Sequence, residues 1–150
     1  MKIVVQRVSK ASVTIQQKKV AAIKTGLLVL VGIVAEDTQE DIDYLVRKIA
    51  NLRIFNDENL VMNLSLKEVS GDVIVVSQFT LHAATKKGNR PSYIKAAKPE
   101  IAIPLYETFV ASLEKEIGKK VQTGMFGADM KVELLNDGPV TICIDSKNKE

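Results

Sequence analysis

The segment Val73-Ile74-Val75-Val76-Ser77-Gln78-Phe79-Thr80-Leu81 changes from apolar to polar within a few residues. Its first four residues are β-branched and apolar, which is typical of a strand buried on both faces. Side chains alternate along a strand, so Ser77 and Phe79 are expected on one face and Gln78 and Thr80 on the other. Polar groups at the end of a buried strand cost free energy unless they find partners. The segment therefore predicts either a binding site at the end of a central strand or a Ser/Thr turn that closes the strand by side-chain to backbone bonds.

The composition is that of an ordinary globular chain. With 150 residues, 46% hydrophobic and 26% charged, the sequence predicts a single domain over residues 1–150. The longest apolar run, Leu27 to Ala35, is far shorter than the roughly 20 residues of a membrane span, and no signal-peptide pattern opens the chain. The single cysteine, Cys143, is expected to be a buried, inert thiol. These features favour a cytoplasmic protein without a membrane partner.

Antiparallel strands are predicted at the start of the chain. Ile3–Val8 and Ala11–Gln16 form one predicted pair, and Val20–Ile23 and Leu27–Val34 form a second. The last of these is continuously apolar, so it should be a central strand.

Two helices are predicted. The first begins at Asp37 or Thr38, with Glu40 or Asp41 as a capping-box partner. Its apolar stripe, at 3.6-residue spacing, consists of Ile42, Leu45, Val46, Ile49 and Leu52. The second helix begins around Pro99 and ends at Gly118. Its predicted core face consists of Leu105, Phe109, Val110, Leu113 and Ile117.

A last strand pair, Met130–Leu135 and Val140–Ile144, is expected to form a hairpin around Asn136-Asp137-Gly138-Pro139. Several antiparallel strands with two helices predict an α/β fold: a layered domain with antiparallel-rich sheets and both main helices packed on one side.

Conventional catalytic groups are scarce. His82 is the only histidine, so a Ser-His-Asp triad would have to include it. A surface or supporting imidazole is the alternative interpretation. One histidine and one cysteine do not make a zinc site of the usual type, and no phosphate-binding glycine loop is present. Thr80 as a nucleophile has no activating partner nearby in sequence. We therefore expect a protein that works without a metal or a bound cofactor.

The dipeptide Gly138-Pro139 is a second unusual feature. Asp137-Gly138 favours a hairpin turn, but Pro139 removes a donor from the strand that begins there. The dipeptide is either a turn that starts a strand or a Gly-Pro peptide that presents its backbone carbonyls to a ligand.

Two further segments are candidates for nucleic-acid contact. Residues 86–98, which include Lys86 and Arg90, contain five cations and no acid, typical of either a solvated loop or a phosphate-binding surface. Met125 and Phe126 lie between two glycines. They either fold back onto the core or offer an apolar surface to a base.

Four segments together resemble the D-aminoacyl-tRNA deacylase family. They are Ser77-Gln78-Phe79-Thr80-Leu81, Gly88-Asn89-Arg90-Pro91-Ser92, Phe126-Gly127-Ala128-Asp129-Met130 and Asn136-Asp137-Gly138-Pro139-Val140-Thr141. The opening residues Met1 to Val8 are similar to the N-terminus of that family as well. The resemblance spans essentially the whole chain, in order.

The resemblance implies a homodimer that cleaves the ester between a D-amino acid and the 3′ end of tRNA. It implies that Gly138-Pro139 is a cis peptide that reaches the other subunit's pocket as a chiral filter, with Arg7 holding its orientation. The implied catalytic positions are Gln78, Phe79 and Thr80. The implied substrate-binding positions are Ser77, Lys86, Arg90, Met125 and Phe126, with Met125 and Phe126 near the terminal adenine.

Two other functions fit parts of the sequence. A non-catalytic tRNA-binding module would use the basic loop, but it leaves the polar end of the buried strand unexplained. A small esterase or thioesterase would use Thr80 and His82. Incubation with D- and L-aminoacyl-tRNA side by side separates all three.

Overall fold

The computed structural model describes residues 1–150 as eight β-strands, two α-helices and one 3-10 turn. In chain order these are β1 Lys2–Ile15, β2 Lys18–Ile23, β3 Gly26–Gly32, α1 Gln39–Asn51, β4 Phe55–Asn56, β5 Met62–Leu64, β6 Asp72–Ser77, the turn Phe79–His82, α2 Pro99–Ile117, β7 Gln122–Thr123 and β8 Lys131–Asp145. The predicted mixed α/β class is confirmed.

The long strand β1 organises the main sheet. The strand order is β2-β1-β3-β6-β7, and β8 pairs with β1 as well. The first half of β1 pairs with β3 and its second half with β2, all antiparallel. The predicted break at Ser9-Lys10 is wrong, because the chain absorbs these two exposed polar residues as a register shift against β8 within one continuous strand. The predicted pairing of β2 with β3 is also wrong, because β1 is long enough to be the partner of both.

Strand β3 is central, as predicted, and lies between β1 and β6. Its pairing with β6 is parallel, as is that of β6 with β7. At the other end of the sheet, the Gln122 side-chain amide donates to the carbonyl oxygen of Ala22 and accepts from its N–H, both at 2.7 Å. This amide ties β7 to β2, so the sheet curls until its first and last strands meet.

Strand β6 is buried on both faces, as its composition predicts. Val73 and Val75 belong to the larger core cluster, which the two helices complete with residues such as Leu45 and Phe109. Ile74, on the opposite face of β6, belongs to a second cluster inside the curled sheet. Each fully buried side chain of this size stabilises the fold by roughly 1.5–3 kcal/mol. The prediction that both helices lie on one side of the sheet is confirmed.

The helix ends follow the sequence signals. Thr38 is the N-cap of α1 and donates its N–H to Asp41 Oδ2 at 2.8 Å. Burial alone would raise the pKa of Asp41, but the hydrogen bonds it accepts, first among them that of Lys147, hold this pKa well below its usual range. Gly118 ends α2 in the left-handed conformation, with φ at 66°. Of the predicted core face of α2, Phe109 and Leu113 are fully buried and the other three residues are half-buried.

The predicted C-terminal hairpin is wrong, because its two strands form the single strand β8, which runs along β1. Gln6 pairs with Thr141 and Val8 pairs with Asn136, so residues 137–140 lie opposite Arg7 alone. Residues 137–140 therefore form a bulge in β8, and these are the residues whose composition suggested a turn.

Cys143, expected to be buried, is exposed. Strand β8 pairs only with β1, and side chains on its outward face, including that of Cys143, have no layer packed over them. None of the helices is both long enough and apolar enough to cross a membrane.

Candidate active site at the end of strand β6

The polar residues of the central segment lie on a turn. Strand β6 ends at Ser77, and the 3-10 turn begins at Phe79. The predicted strand alternation of residues 78–80 is therefore wrong, because Gln78 N–H still donates to the β3 carbonyl of Val31 at 2.7 Å but the chain then bends. Gln78 Nε2 donates to Thr80 Oγ1, so these two polar side chains satisfy each other. A turn does close the strand, but its bonds are backbone–backbone and the one between Gln78 and Thr80, not the predicted side-chain to backbone bonds.

This turn forms one wall of a cleft of about 290 Å³. Two of the predicted segments meet in the cleft. Residues 77–79 lie on one side, and residues 126–130 lie on the other. The remaining lining is apolar, and of its residues only Val76 lies in a segment that the sequence analysis singled out: Val31, Ile33, Val76, Ala97, Ala102 and Val132. Nothing in the local sequence marks the other five, because they reach the cleft from three separate elements and two connecting segments.

Phe126 is held in place by helix α2. Its ring makes an edge-to-face contact with Tyr106 at 6.0 Å between centroids. The Tyr106 hydroxyl donates to the carbonyl of Val75 at 2.8 Å, and burial raises the pKa of Tyr106 to about 12. Tyr106 thus remains a donor at physiological pH and links the Phe126 loop to β6. Met125 is 61% exposed and is not part of the cleft lining.

Arg7 is a buried cation that supports the Gly138-Pro139 dipeptide. Its guanidinium donates to the backbone carbonyls of Ile54 at 2.6 Å and Asp137 at 3.1 Å. The Gly138–Pro139 peptide is cis, as the resemblance implies, and both residues are exposed. Neither residue lines the cleft of its own chain.

The loop between the turn and α2 presents the predicted cations. Ala84 and Ser92 pair through two backbone hydrogen bonds of 2.8 and 3.0 Å, which closes a basic hairpin that includes Lys86 and Arg90. Both side chains are exposed and lie outside the cleft lining.

His82 is buried beneath the turn, so the expectation of a surface imidazole is wrong. Its exposed fraction is 9%, and its Nε2 atom has no hydrogen-bond partner. A Cβ atom built on Gly32 would lie 3.0 Å from His82 Cδ2, which shows how closely the ring packs on β3. This arrangement fits a supporting role for the ring and provides no carboxylate to orient a catalytic imidazole.

The fold and the cleft define the class to which the chain belongs: α/β proteins with a largely apolar cleft, polar at one edge, where a central strand ends. A family model described as D-Tyr-tRNA(Tyr) deacylase matches residues 4–145. The chain is 71% identical to a D-aminoacyl-tRNA deacylase of Flavobacterium johnsoniae and 67% identical to one of Bacteroides fragilis, over 100% of both chains in each case. The chain therefore belongs to the D-Tyr-tRNA(Tyr) deacylase family.

Two solved structures share the fold of this chain. A structure titled c-Myc DNA Unwinding Element Binding Protein superposes with a TM-score of 0.89 at 43% identity, covering 97% of this chain and 98% of the other. A second, titled "Structural Analysis of a probable eukaryotic D-amino acid tRNA deacylase", has a TM-score of 0.83 at 17% identity, covering 95% and 97%. The second match shows that the fold persists at low sequence identity.

Proposed function

We propose that this protein hydrolyses the ester bond of D-aminoacyl-tRNA and releases free tRNA and the D-amino acid. The observation that carries the proposal is the cleft, in which Ser77, Gln78 and Phe79 meet Phe126. These belong to two of the segments on which the resemblance to the family rests, and they are far apart in sequence. The full-length identity to proteins named as D-aminoacyl-tRNA deacylases supports the same reaction.

An aminoacyl ester is already activated, so its hydrolysis needs little acid–base machinery. The first N–H groups of a 3-10 turn have no acceptor within the turn. The bonds of this turn begin with Leu81 N–H to the carbonyl of Gln78 at 3.2 Å, which leaves the N–H groups of Phe79 and Thr80 for the oxyanion that develops on the ester carbonyl. The substrate's ribose 2′-hydroxyl helps to place the attacking water.

The chiral filter is supplied by a second copy of the chain. Gly138 and Pro139 are exposed and lie outside their own cleft, and the outer edge of the long strand β8 is unpaired. An unpaired strand edge of this length favours association with another chain. In the homodimer the Gly-Pro backbone crowds one face of the substrate's chiral centre and excludes an L-side chain. Glycyl-tRNA, which has no side chain to exclude, is then hydrolysed as well.

The assay that tests the function compares D-tyrosyl-, L-tyrosyl- and glycyl-tRNA under identical conditions in the cytoplasmic pH range. We expect release of D-tyrosine and, at higher enzyme concentration, of glycine, with L-tyrosyl-tRNA left intact. Salt-sensitive tRNA binding without turnover of any of the three would instead identify a non-catalytic tRNA-binding module.

Thr80 does not itself line the cleft, and we expect it to support the pocket through Gln78 without attacking the ester. Its hydroxyl accepts a hydrogen bond from the side-chain amide of Gln78, which is a donor and cannot act as a base. We expect Thr80→Ala to lower kcat on D-tyrosyl-tRNA by less than about 10-fold, because backbone donors and substrate placement remain. Single-turnover kinetics measure the effect. A loss of more than roughly 10³-fold in a folded variant would indicate a covalent threonine mechanism.

His82 is expected to affect stability more than chemistry. Because the ring is buried, His82→Ala leaves a cavity, and we expect it to lower the free energy of unfolding by about 1–3 kcal/mol. The kcat of the folded fraction should stay within about 3-fold of wild type, since this ring takes no part in proton transfer. Urea unfolding and single-turnover rates provide the two measurements. Abolished turnover in a fully folded variant would support the Thr80/His82 esterase instead.

A further inference from the structure

Two exposed aromatic side chains lie between the cleft and the basic hairpin. Phe79 lines the cleft but is 55% exposed, and Tyr93, outside the lining, is 39% exposed. Their ring centroids are 5.0 Å apart, and the ring planes are inclined at 77°. The pair extends the apolar surface of the cleft outward to the point where the basic hairpin closes. Exposed aromatic surface at the rim of a cleft is a common sign of a ligand that covers it.

The backbone fixes Tyr93 relative to the cleft. On one side, its neighbour Ser92 is paired with Ala84 at the base of the basic hairpin. On the other side, the Tyr93 carbonyl accepts from Ala96 N–H at 3.0 Å, and Ala97 N–H donates to the carbonyl of Ile33 at 2.9 Å. Ala97 and Ile33 both line the cleft. The ring therefore occupies a defined position at the mouth of the cleft.

The loop that carries Tyr93 has charges of one sign. The five cations of residues 86–98 are Lys86, Lys87, Arg90, Lys95 and Lys98, and no Asp or Glu occurs among residues 83–98. None of the five takes part in any of the ion pairs of the chain. An aromatic pair flanked by unneutralised cations is the combination that binds single-stranded nucleic acid, with bases on the rings and phosphates on the cations.

We propose that Tyr93, together with the outer face of Phe79, is a stacking platform for the unpaired nucleotide that precedes the aminoacylated terminal nucleotide of tRNA. This inference rests on the proposed deacylase function. If the aminoacyl ester lies in the cleft beside Gln78, the preceding nucleotide leaves through the mouth, where the two rings lie. The basic hairpin then contacts the phosphates of the same strand. Stacking of this kind accepts any base, so the platform contributes affinity without selecting a tRNA.

The test compares two substrates that differ in the preceding nucleotides. Loss of one stacked base costs about 1–3 kcal/mol, so Tyr93→Ala should raise the KM for D-tyrosyl-tRNA by about 5- to 150-fold with kcat unchanged. For the D-tyrosyl ester of adenosine, which has no preceding nucleotide, Tyr93→Ala should match wild type. Tyr93→Phe should retain the wild-type KM on both substrates. The matched control is Ile94→Ala, because Ile94 is the next residue and is 89% exposed.

The outcomes are distinguishable. If Tyr93→Ala behaves like Ile94→Ala on D-tyrosyl-tRNA, the platform does not exist. If it impairs both substrates equally, Tyr93 acts only by supporting Phe79, and the inference is wrong. If wild type hydrolyses the adenosine ester and the tRNA but Tyr93 has no selective effect, the deacylase proposal stands while the platform is rejected. If wild type hydrolyses neither substrate, both the proposed function and the stacking platform are rejected.

Discussion

Replacement of Gly138 with alanine is expected to lower kcat/KM for D-tyrosyl-tRNA by about 100-fold, because a displaced dipeptide backbone would crowd the D-substrate too, and a misplacement of about 1 Å can cost that much. Gly138 has φ at 125°, a conformation that L-residues rarely adopt. A Cβ atom there would lie 2.9 Å from Arg7 Nη2 and 2.9 Å from Val140 Cγ2. Arg7 is buried and hydrogen-bonded, so the backbone at Gly138 has to move instead. Steady-state kinetics on D- and L-tyrosyl-tRNA measure the loss and any fall in discrimination.

The matched control for this variant is Gly118→Ala. Gly118 also has a positive φ, 66°, but a Cβ atom there meets nothing within 4 Å, and the residue ends helix α2. Its substitution should cost about 1 kcal/mol of stability and leave kcat/KM unchanged. Wild-type kinetics for Gly138→Ala would remove the dipeptide from the proposed mechanism.

Subunit mixing tests whether the dipeptide acts across the proposed homodimer. The Gly138→Ala variant has an intact cleft and an altered dipeptide. The Gln78→Ala variant has an altered cleft and an intact dipeptide. In a statistically mixed population, half of the dimers are heterodimers. Each heterodimer has one intact cleft that faces an intact dipeptide and one cleft that does not. About a quarter of wild-type activity should therefore return. No recovery after verified exchange would show that each dipeptide serves its own chain.

Arg7→Ala is expected to have the second-largest effect, lowering the free energy of unfolding by about 3 kcal/mol. The buried guanidinium donates to the carbonyls of Ile54 and Asp137 and to Asn56 Oδ1, at 2.6, 3.1 and 3.3 Å. Its removal leaves these acceptors without their donor and opens a cavity between β1, β4 and β8. Because the Asp137 carbonyl directly precedes Gly138, activity of the folded fraction should also fall at least about 10-fold. Urea unfolding and single-turnover kinetics measure the two effects.

Arg53→Ala provides the comparison for Arg7→Ala. Arg53 also donates to a backbone carbonyl, that of Asn63 at 2.8 Å, but it is exposed. Water replaces this bond, so the expected cost is below about 1 kcal/mol and activity should not change. An Arg7→Ala variant that loses less than about 1 kcal/mol of stability and keeps its activity would show that Arg7 neither stabilises the fold nor orients the dipeptide.

Several parts of the fold were predictable because their signals are local. The capping box at Thr38, the glycine C-cap at Gly118 and the doubly buried character of Val73–Val76 depend only on neighbouring residues. Strand pairing was predicted less well. Asp137-Gly138 has the composition of a hairpin turn, but β8 continues through it in the structure. Pairing with β1 on both sides of this dipeptide makes a bulged strand more stable than a hairpin.

The candidate site shows the same division between features with local sequence signals and features that depend on distant segments. The motif residues Ser77, Gln78, Phe79 and Phe126 were identifiable in the sequence, but their shared cleft was not. The buried position of His82, the exposure of Cys143 and the contact between Phe79 and Tyr93 were not identifiable either. Each of these depends on which distant segment packs against the residue.

The sequence by itself determined the α/β class, the helix ends, the buried central strand and the segments that carry the family resemblance. Only the tertiary structure decided that β1 pairs with three strands, that the polar end of β6 turns into a cleft, and that Arg7 anchors the backbone before Gly138. The physical reason is that caps, turns and periodicity are properties of adjacent residues. Strand partners, clefts and buried charges arise from contacts between segments that the chain brings together only when it folds.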